Sequence, residues 1–319
     1  MEQRQKQFIY IGRAYFLPLL LLLPALLTAC TERSLEVRPE PVPIRLYTGI
    51  QTRISIDNFK ETPVCVAYGT APGGYIQCWD GIATNNEITL TPVRYYPQDG
   101  SRIYLRSFYP PAPMSADGTL NYTLTGEEDL MMTVEQSATQ DEPFTADSEK
   151  ILTHRHLLTK LSFRLKLNVS NPDLYSVRSL QLNGLTQQVT LSLLTGELNC
   201  GELKIPVMIY DGATDGSSFP FKEGVAELPG YVLVQPGAEF TLNLRLAVDD
   251  KPANDLIYTE LPIHFDGGTG EGGIAYTVSV DIPDPVSPDP VEVSVTATVT
   301  SWKDGDSGSG EINTDKGKK

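Results

Sequence analysis

Leu161-Ser162-Phe163-Arg164-Leu165-Lys166-Leu167 decides the fold class of this chain. Each odd position is a large apolar residue and each even position is polar. Side chains along a strand point to opposite faces with a period of two, so this stretch buries one face and wets the other. A helix would need apolar residues three and four apart instead. The same alternation returns in short runs on both sides. On the N-terminal side it appears at Ile44-Arg45-Leu46-Tyr47, Val64 to Tyr68, Tyr75 to Trp79, Ile88 to Leu90, Arg94 to Pro97 and Ile103 to Pro110. On the C-terminal side it appears at Val177 to Leu185, Val189 to Leu194, Gly230 to Val234, Phe240 to Val248, Tyr276 to Val280 and Val291 to Val299. Gly, Pro, Asn and Asp clusters separate the runs, and no segment keeps a helical period. Such a pattern predicts an all-β chain built as sandwiches or barrels.

The length of 319 residues predicts two domains. The polar, acidic stretch 135–150 is the expected seam, giving domains at 44–150 and 151–319. Asp281-Ile282-Pro283-Asp284-Pro285-Val286-Ser287-Pro288-Asp289-Pro290 is too rich in proline for a central strand and reads as an extended connector. From about residue 303 the chain is rich in Gly, Ser, Asp and Lys and reads as a flexible tail.

Residues 1–29 read as a lipoprotein signal peptide. Arg4, Lys6 and Arg13 form a basic start, and Tyr15 to Leu27 forms an apolar stretch broken by Pro18 and Pro24. That stretch is shorter than the ~20 apolar residues of a spanning helix. Leu27-Thr28-Ala29-Cys30 then reads as a lipobox, with Cys30 as the lipidation site. Acyl chains bury ~0.8 kcal/mol per CH₂, so two or three of them anchor stably. Residues 30–43, with three prolines and five charged residues interspersed, read as an extended tether. The formal charge is −15. Removal of residues 1–29 takes away Arg4, Lys6 and Arg13 against Glu2, so the processed chain carries −17. A polyanion of that size repels phosphate backbones, which argues against a nucleic-acid partner.

The residues that carry chemistry form no catalytic constellation, and no cofactor motif appears. His154 and His156 share a strand face, while His264 stands alone. A His-x-His pair supplies two metal ligands, but no third ligand stands at a suitable spacing, so no metal is expected. Asp304-Gly305-Asp306 begins like a calcium loop, yet Gly308 and Asp315 occupy positions where Asp or Asn and then Glu belong. If the turn between their strands centres on Ala71-Pro72, Cys65 lies opposite Cys78, making them candidate disulfide partners; the alternative is a pair of buried thiols.

Four stretches together resemble the fimbrillin family of Bacteroidales, the subunits of type V pili. They are Pro43 to Arg53; Tyr95-Tyr96-Pro97 followed by Ile103 to Pro110; Leu152 to Phe163, containing His156-x-x-x-Lys160-Leu161-x-Phe163; and Tyr276 to Val280 with the last strand ending at Ser301-Trp302. The resemblance implies two transthyretin-like β-sandwich domains in tandem after the signal peptide. It implies a structural subunit or adhesin of a fimbria at the outer-membrane surface, with other fimbrial subunits as partners, a host or bacterial surface ligand, and no enzymatic activity. It further implies assembly by donor-strand exchange after proteolysis at Arg53, with Arg45 or Arg38 as rival sites. Val291, Val293, Val295, Ala297 and Val299 are then either the donated strand or the last strand of their own domain. Ile54 departs from the small residue typical after the cut, and the short Gly-rich tail leaves stalk, tip and anchor positions open. The competing reading is a surface glycan-binding lipoprotein of a nutrient-uptake system, for which Trp79 and Trp302 would be the binding platforms.

Overall fold

The computed structural model describes residues 40–51, 56–57, 59–146, 149–212, 217–285 and 292–302. Among these the chain is all-β, with two single 3₁₀ turns at Pro172–Leu174 and Pro252–Asn254. No helix there is long and apolar enough to cross a membrane.

The N-terminal half contributes β1 (Leu46–Gln51), β2 (Ile56–Asp57), β3 (Phe59–Gly69), β4 (Tyr75–Asn85), β5 (Glu87–Thr91), β6 (Ile103–Tyr109), β7 (Thr119–Thr123), β8 (Met131–Thr133), β9 (Gln136–Ala138) and β10 (Leu152–His156). All but β7 form one nine-stranded sheet, in the order β10-β8-β6-β3-β4-β5-β1-β2 with β9 on β6. Parallel pairing of β1 with β10, from Thr48↔Leu152 to Gln51↔Arg155, joins the two flanks of that order into a closed ring. Ile44, Leu46, Ile50, Val64, Val66, Trp79, Ile88, Leu90, Ile103, Leu105 and Leu152 fill one shared hydrophobic cluster.

The C-terminal half contributes β11 (Thr159–Leu167), β12 (Tyr175–Thr186), β13 (Gln188–Ser192), β14 (Leu198–Cys200), β15 (Lys204–Asp211), β16 (Phe219–Pro220), β17 (Val225–Glu227), β18 (Val232–Val234), β19 (Thr241–Val248), β20 (Leu256–Pro262), β21 (His264–Phe265), β22 (Ala275–Ile282) and β23 (Ser294–Thr300). One sheet runs β17-β11-β22-β23-β21 with β18 on β11, and another runs β15-β12-β19-β20 with β16 on β12. Phe163, Leu165, Val278, Val280 and Ala297 of the first join Val177, Leu180, Leu182, Leu244 and Leu246 of the second in one cluster. The alternation that opened the sequence reading is realised in β11, where Phe163, Leu165 and Leu167 are buried and Arg164 and Lys166 exposed.

Two sequence expectations about domain layout meet a different arrangement. Leu152 to Phe163, one continuous stretch in the family resemblance, is split between two strands. The chain leaves the first sheet after His156, and β11 enters another sheet at Thr159, with Leu158 fully buried between them. The first sheet therefore runs past the boundary expected at residue 150. The acidic stretch is likewise not a free seam. Glu135 accepts hydrogen bonds from the Gly73 amide (2.8 Å) and the Tyr75 hydroxyl (2.6 Å). Phe144 is buried, its amide donating to the Tyr96 hydroxyl at 2.9 Å. The halves also share structure: β7 pairs with β13 of the second half. Val64 and Val66 point into the first cluster, while Cys65 and Ala67, on the opposite face of β3, belong to the second. Four consecutive buried residues on β3 are what a strand covered on both faces requires.

Candidate functional site

β1 and the seat it occupies form the candidate site. The strand and the residues leading into it place Ile44, Leu46, Thr48 and Ile50 inward at a spacing of two, at 6%, 2%, 3% and 2% exposure. Arg45 points out. The ladder to β5 is short, with Leu46↔Ile88 and Tyr47↔Glu87 the paired residues. Beyond it the chains separate and rejoin where the Ile44 amide donates to the Arg94 carbonyl at 2.8 Å. Between these points lies a cleft of about 490 Å³, with Ile44–Tyr47 on one side and Glu87–Leu90, Val93 and Tyr95 on the other. Val93 and Tyr95 are exposed at its mouth. β1 thus has a four-residue ladder to β10 and a two-residue ladder to β5, extended by the Thr48 amide donating to the Asn86 carbonyl at 2.8 Å.

The one polar inward residue of β1 has dedicated partners. Thr48 Oγ1 donates to the Leu152 carbonyl at 2.8 Å and lies 3.0 Å from His154 Nδ1. His154 Nε2 lies 3.0 Å from Ser107 Oγ, which in turn donates to the Cys65 carbonyl at 3.1 Å. The Ser107 amide donates to Thr133 Oγ1 at 2.9 Å. The line runs through β1, β10, β6, β3 and β8, and its side chains are all nearly or fully buried. Burial pushes the His154 pKa down to about 3, so the ring is neutral at ordinary pH. Phe59 packs against it at 4.9 Å between centroids, edge to face. His156 is used separately. Its Nδ1 lies 2.8 Å from Asp129 Oδ2, and its ring stacks on Trp302 at 4.0 Å. Lys160 Nζ sits 4.1 Å from the Tyr231 ring and 5.4 Å from the Trp302 ring. The two histidines do share a face, but each serves its own partners. Among the described residues no three His, Cys, Asp or Glu side chains come together to hold a metal. His264 is exposed on β21.

The remaining sequence candidates fall as follows. Cys30, Arg53, Val291 and the tail from 303 lie outside the described residues, as does the connector at 286–290. Cys65 and Cys78 are free thiols and do not face each other: Cys65 pairs with Asp80, and Ala67 with Cys78. The turn is centred one residue later than expected. The Gly74 amide bonds the Ala71 carbonyl at 3.0 Å, and Gly73 takes φ +67°, the left-handed position of a Pro-Gly type II turn. Moving a turn centre by one residue slips the register by two. Burial pushes both thiol pKa values up, that of Cys78 to about 12.

The candidate donor strand is held in its own sheet, antiparallel to β22 over Ser294–Thr300. Val295 and Ala297 are buried, Val293 is half-buried and Val299 is 44% exposed. Its end is pinned where Trp302 stacks on His156. In this single chain it is the last strand of its own sheet, and its Val295 and Ala297 fill part of that core. Trp79 is not an open platform, while Trp302 is half-buried against His156. Trp79 is 5% exposed between Tyr68, stacked at 4.6 Å, and Arg94, 5.3 Å over its ring. Sequence reasoning missed Thr48 and Ser107. The signal for Thr48 was available, because it is the polar interruption in the alternating series Ile44, Leu46, Thr48, Ile50.

The profile of the fimbrillin-like family matches residues 54–302. The chain belongs to the fimbrillin-like family. This fimbrillin-like chain is similar in fold to a solved putative cell adhesion protein from Bacteroides uniformis, at TM-score 0.56 and 14% identity over 82% of this chain and 99% of that one. A fimbrial protein from Bacteroides vulgatus gives TM-score 0.53 and 10% identity over 81% and 99%. A putative cell adhesion protein from Bacteroides ovatus gives 0.53 and 14% over 82% and 98%. No curated protein sequence matches it.

Proposed function

We propose that this fimbrillin-like chain is a structural subunit or adhesin component of a surface fimbria of the type V kind. It reaches the outer membrane on a lipid at Cys30 and, once cut free of that anchor, assembles with other fimbrial subunits by exchange of its first strand. In this reading its two halves are transthyretin-like sandwiches. The observation that carries the proposal is the seat of β1. One short strand closes the ring, and its Leu46 and Ile50, with Ile44 just before it, are almost fully buried. At ~1.5–3 kcal/mol per buried aliphatic side chain, these three contribute roughly 5–9 kcal/mol. That is comparable with the whole net stability of a domain, ~5–15 kcal/mol. A chain that loses β1 is left with an apolar trough and with unpaired edges on β5 and β10, and β-augmentation by another strand restores both.

The position of the cut matters. Cleavage after Arg38 leaves all of β1 attached, and cleavage after Arg45 leaves Leu46–Gln51 in place. Cleavage after Arg53 takes the whole strand. The glycan-binding alternative has no support from Trp79, which is enclosed. N-terminal sequencing of the subunit recovered from purified fimbriae tests the proposal. The expected start is Ile54; a start at acylated Cys30 in assembled fimbriae would overturn it.

A further inference from the structure

Any strand that replaces β1 meets a seat with four inward positions, and they are not equivalent. Ile44, Leu46 and Ile50 fill apolar positions, whereas Thr48 reaches a closed polar socket made by the Leu152 carbonyl and His154 Nδ1. His154 and Ser107 are both 0% exposed, so no bulk water substitutes for the hydroxyl. We propose that this socket selects the incoming strand: the partner subunit's segment carries Thr or Ser at the place of Thr48, with large aliphatic residues two positions to either side. This inference rests on the strand-exchange reading above.

Counting hydrogens shows why the socket discriminates. A neutral imidazole and two hydroxyls bring three hydrogens. They face four contacts: Thr48 to Leu152, Thr48 to His154, His154 to Ser107, and Ser107 to Cys65. The line is already one hydrogen short. A residue of the same shape without a hydroxyl, such as valine, removes one more and leaves a buried carbonyl or ring nitrogen with nothing in its place. Serine retains the hydroxyl and loses only a methyl group.

The rule also bears on who the partner is. In β23 and the residues before it, one face is Val291, Val293, Val295, Ala297 and Val299, with no hydroxyl for the socket. Shifting the register by one puts Thr296 in the socket but Ser294 and Thr298 where Leu46 and Ile50 belong. The strand that fits is therefore not this chain's own β23 but a segment of a different subunit, of the form aliphatic-x-aliphatic-x-Thr/Ser-x-aliphatic.

The test uses the full chain cut after Arg53, with fluorescent peptides spanning residues 44–51 that carry Thr, Ser or Val at position 48, and a peptide spanning 291–299. Binding is followed by anisotropy. The Thr and Ser peptides are expected to bind within a few-fold of each other, the Val peptide about tenfold or more weakly, and the 291–299 peptide more weakly still. Equal binding of the Thr and Val peptides, or tight binding of the 291–299 peptide, overturns the selection rule and leaves strand exchange standing. Failure of every peptide, the native sequence included, overturns strand exchange itself and the rule with it.

Discussion

Replacing Ile50 with alanine separates a strand that merely belongs to the core from one that can leave it. Ile50 is 2% exposed in the cluster that fills the first sheet. Truncating such a residue costs ~2–5 kcal/mol. A value near ~3 kcal/mol raises the population of any state in which β1 is detached by about a hundredfold. Gln51→Ala is the control; Gln51 is exposed, and the change should stay within ~0.5 kcal/mol. The assay is native-state hydrogen exchange read by mass spectrometry at residues 46–51 and on β12 and β19, at several low denaturant concentrations. In the wild-type chain residues 46–51 should exchange faster than the slowest amides of β12 and β19. Their rate should depend only weakly on denaturant, as expected when one strand exposes little surface. Ile50→Ala should speed them about a hundredfold with that weak dependence unchanged. The reasoning is refuted if, in both proteins, residues 46–51 exchange at the same rate and with the same denaturant dependence as the slowest core amides. β1 would then come free only when the whole chain unfolds.

Three further outcomes follow from particular contacts. The Asp255 side chain is 2% exposed and lies 3.1 Å from Arg178 Nε and 2.6 Å from Arg245 Nε, so Asp255→Ala strands the buried Arg178 guanidinium and should cost ~3–5 kcal/mol in urea denaturation. His154 has a folded pKa near 3 against ~6.5 unfolded, so the unfolded chain binds the extra proton between those values. Its contribution is complete above about pH 6.5 and is lost as pH falls toward 3; His154→Gln should flatten the stability slope in that window by about one proton, ~1.4 kcal/mol per pH unit. With iodoacetamide at pH 8, exposed Cys200 should label first, and buried Cys65 and half-buried Cys78, their thiols pushed up in pKa, should label only slowly until the chain unfolds, which peptide mapping reads directly.

Strands whose two faces meet different environments were easy to read. β11, β22 and the core of β23 follow the alternation of their sequences because one face is wet. β15 and β20 were passed over, and both are edge strands of their sheet. β15 contains Pro206, which a ladder tolerates only at an edge, and both show mixed burial with little contrast between faces. The break between β10 and β11 was hidden because Leu157-Leu158 continues an apolar run, and only the pairing partners show that the chain changes sheets. At the site, the shared face of His154 and His156 follows from their spacing. What each histidine touches does not, since Thr48 and Ser107 are 106 and 47 residues from His154 along the chain. The disulfide expectation failed on a single residue in the placement of a turn, since a one-residue shift of the centre moves every cross-strand partner by two.

The most direct test of the central claim is controlled cleavage after Arg53 in the purified full-length protein, followed by electrophoresis in mild detergent with a candidate partner subunit present. Strand exchange predicts that the cut chain loses residues up to Arg53 and forms detergent-resistant complexes with the partner. Uncut protein and Arg53→Ala should remain folded monomers. If the cut chain keeps its first strand and stays monomeric beside every partner offered, the seat of β1 is ordinary core and the account is wrong.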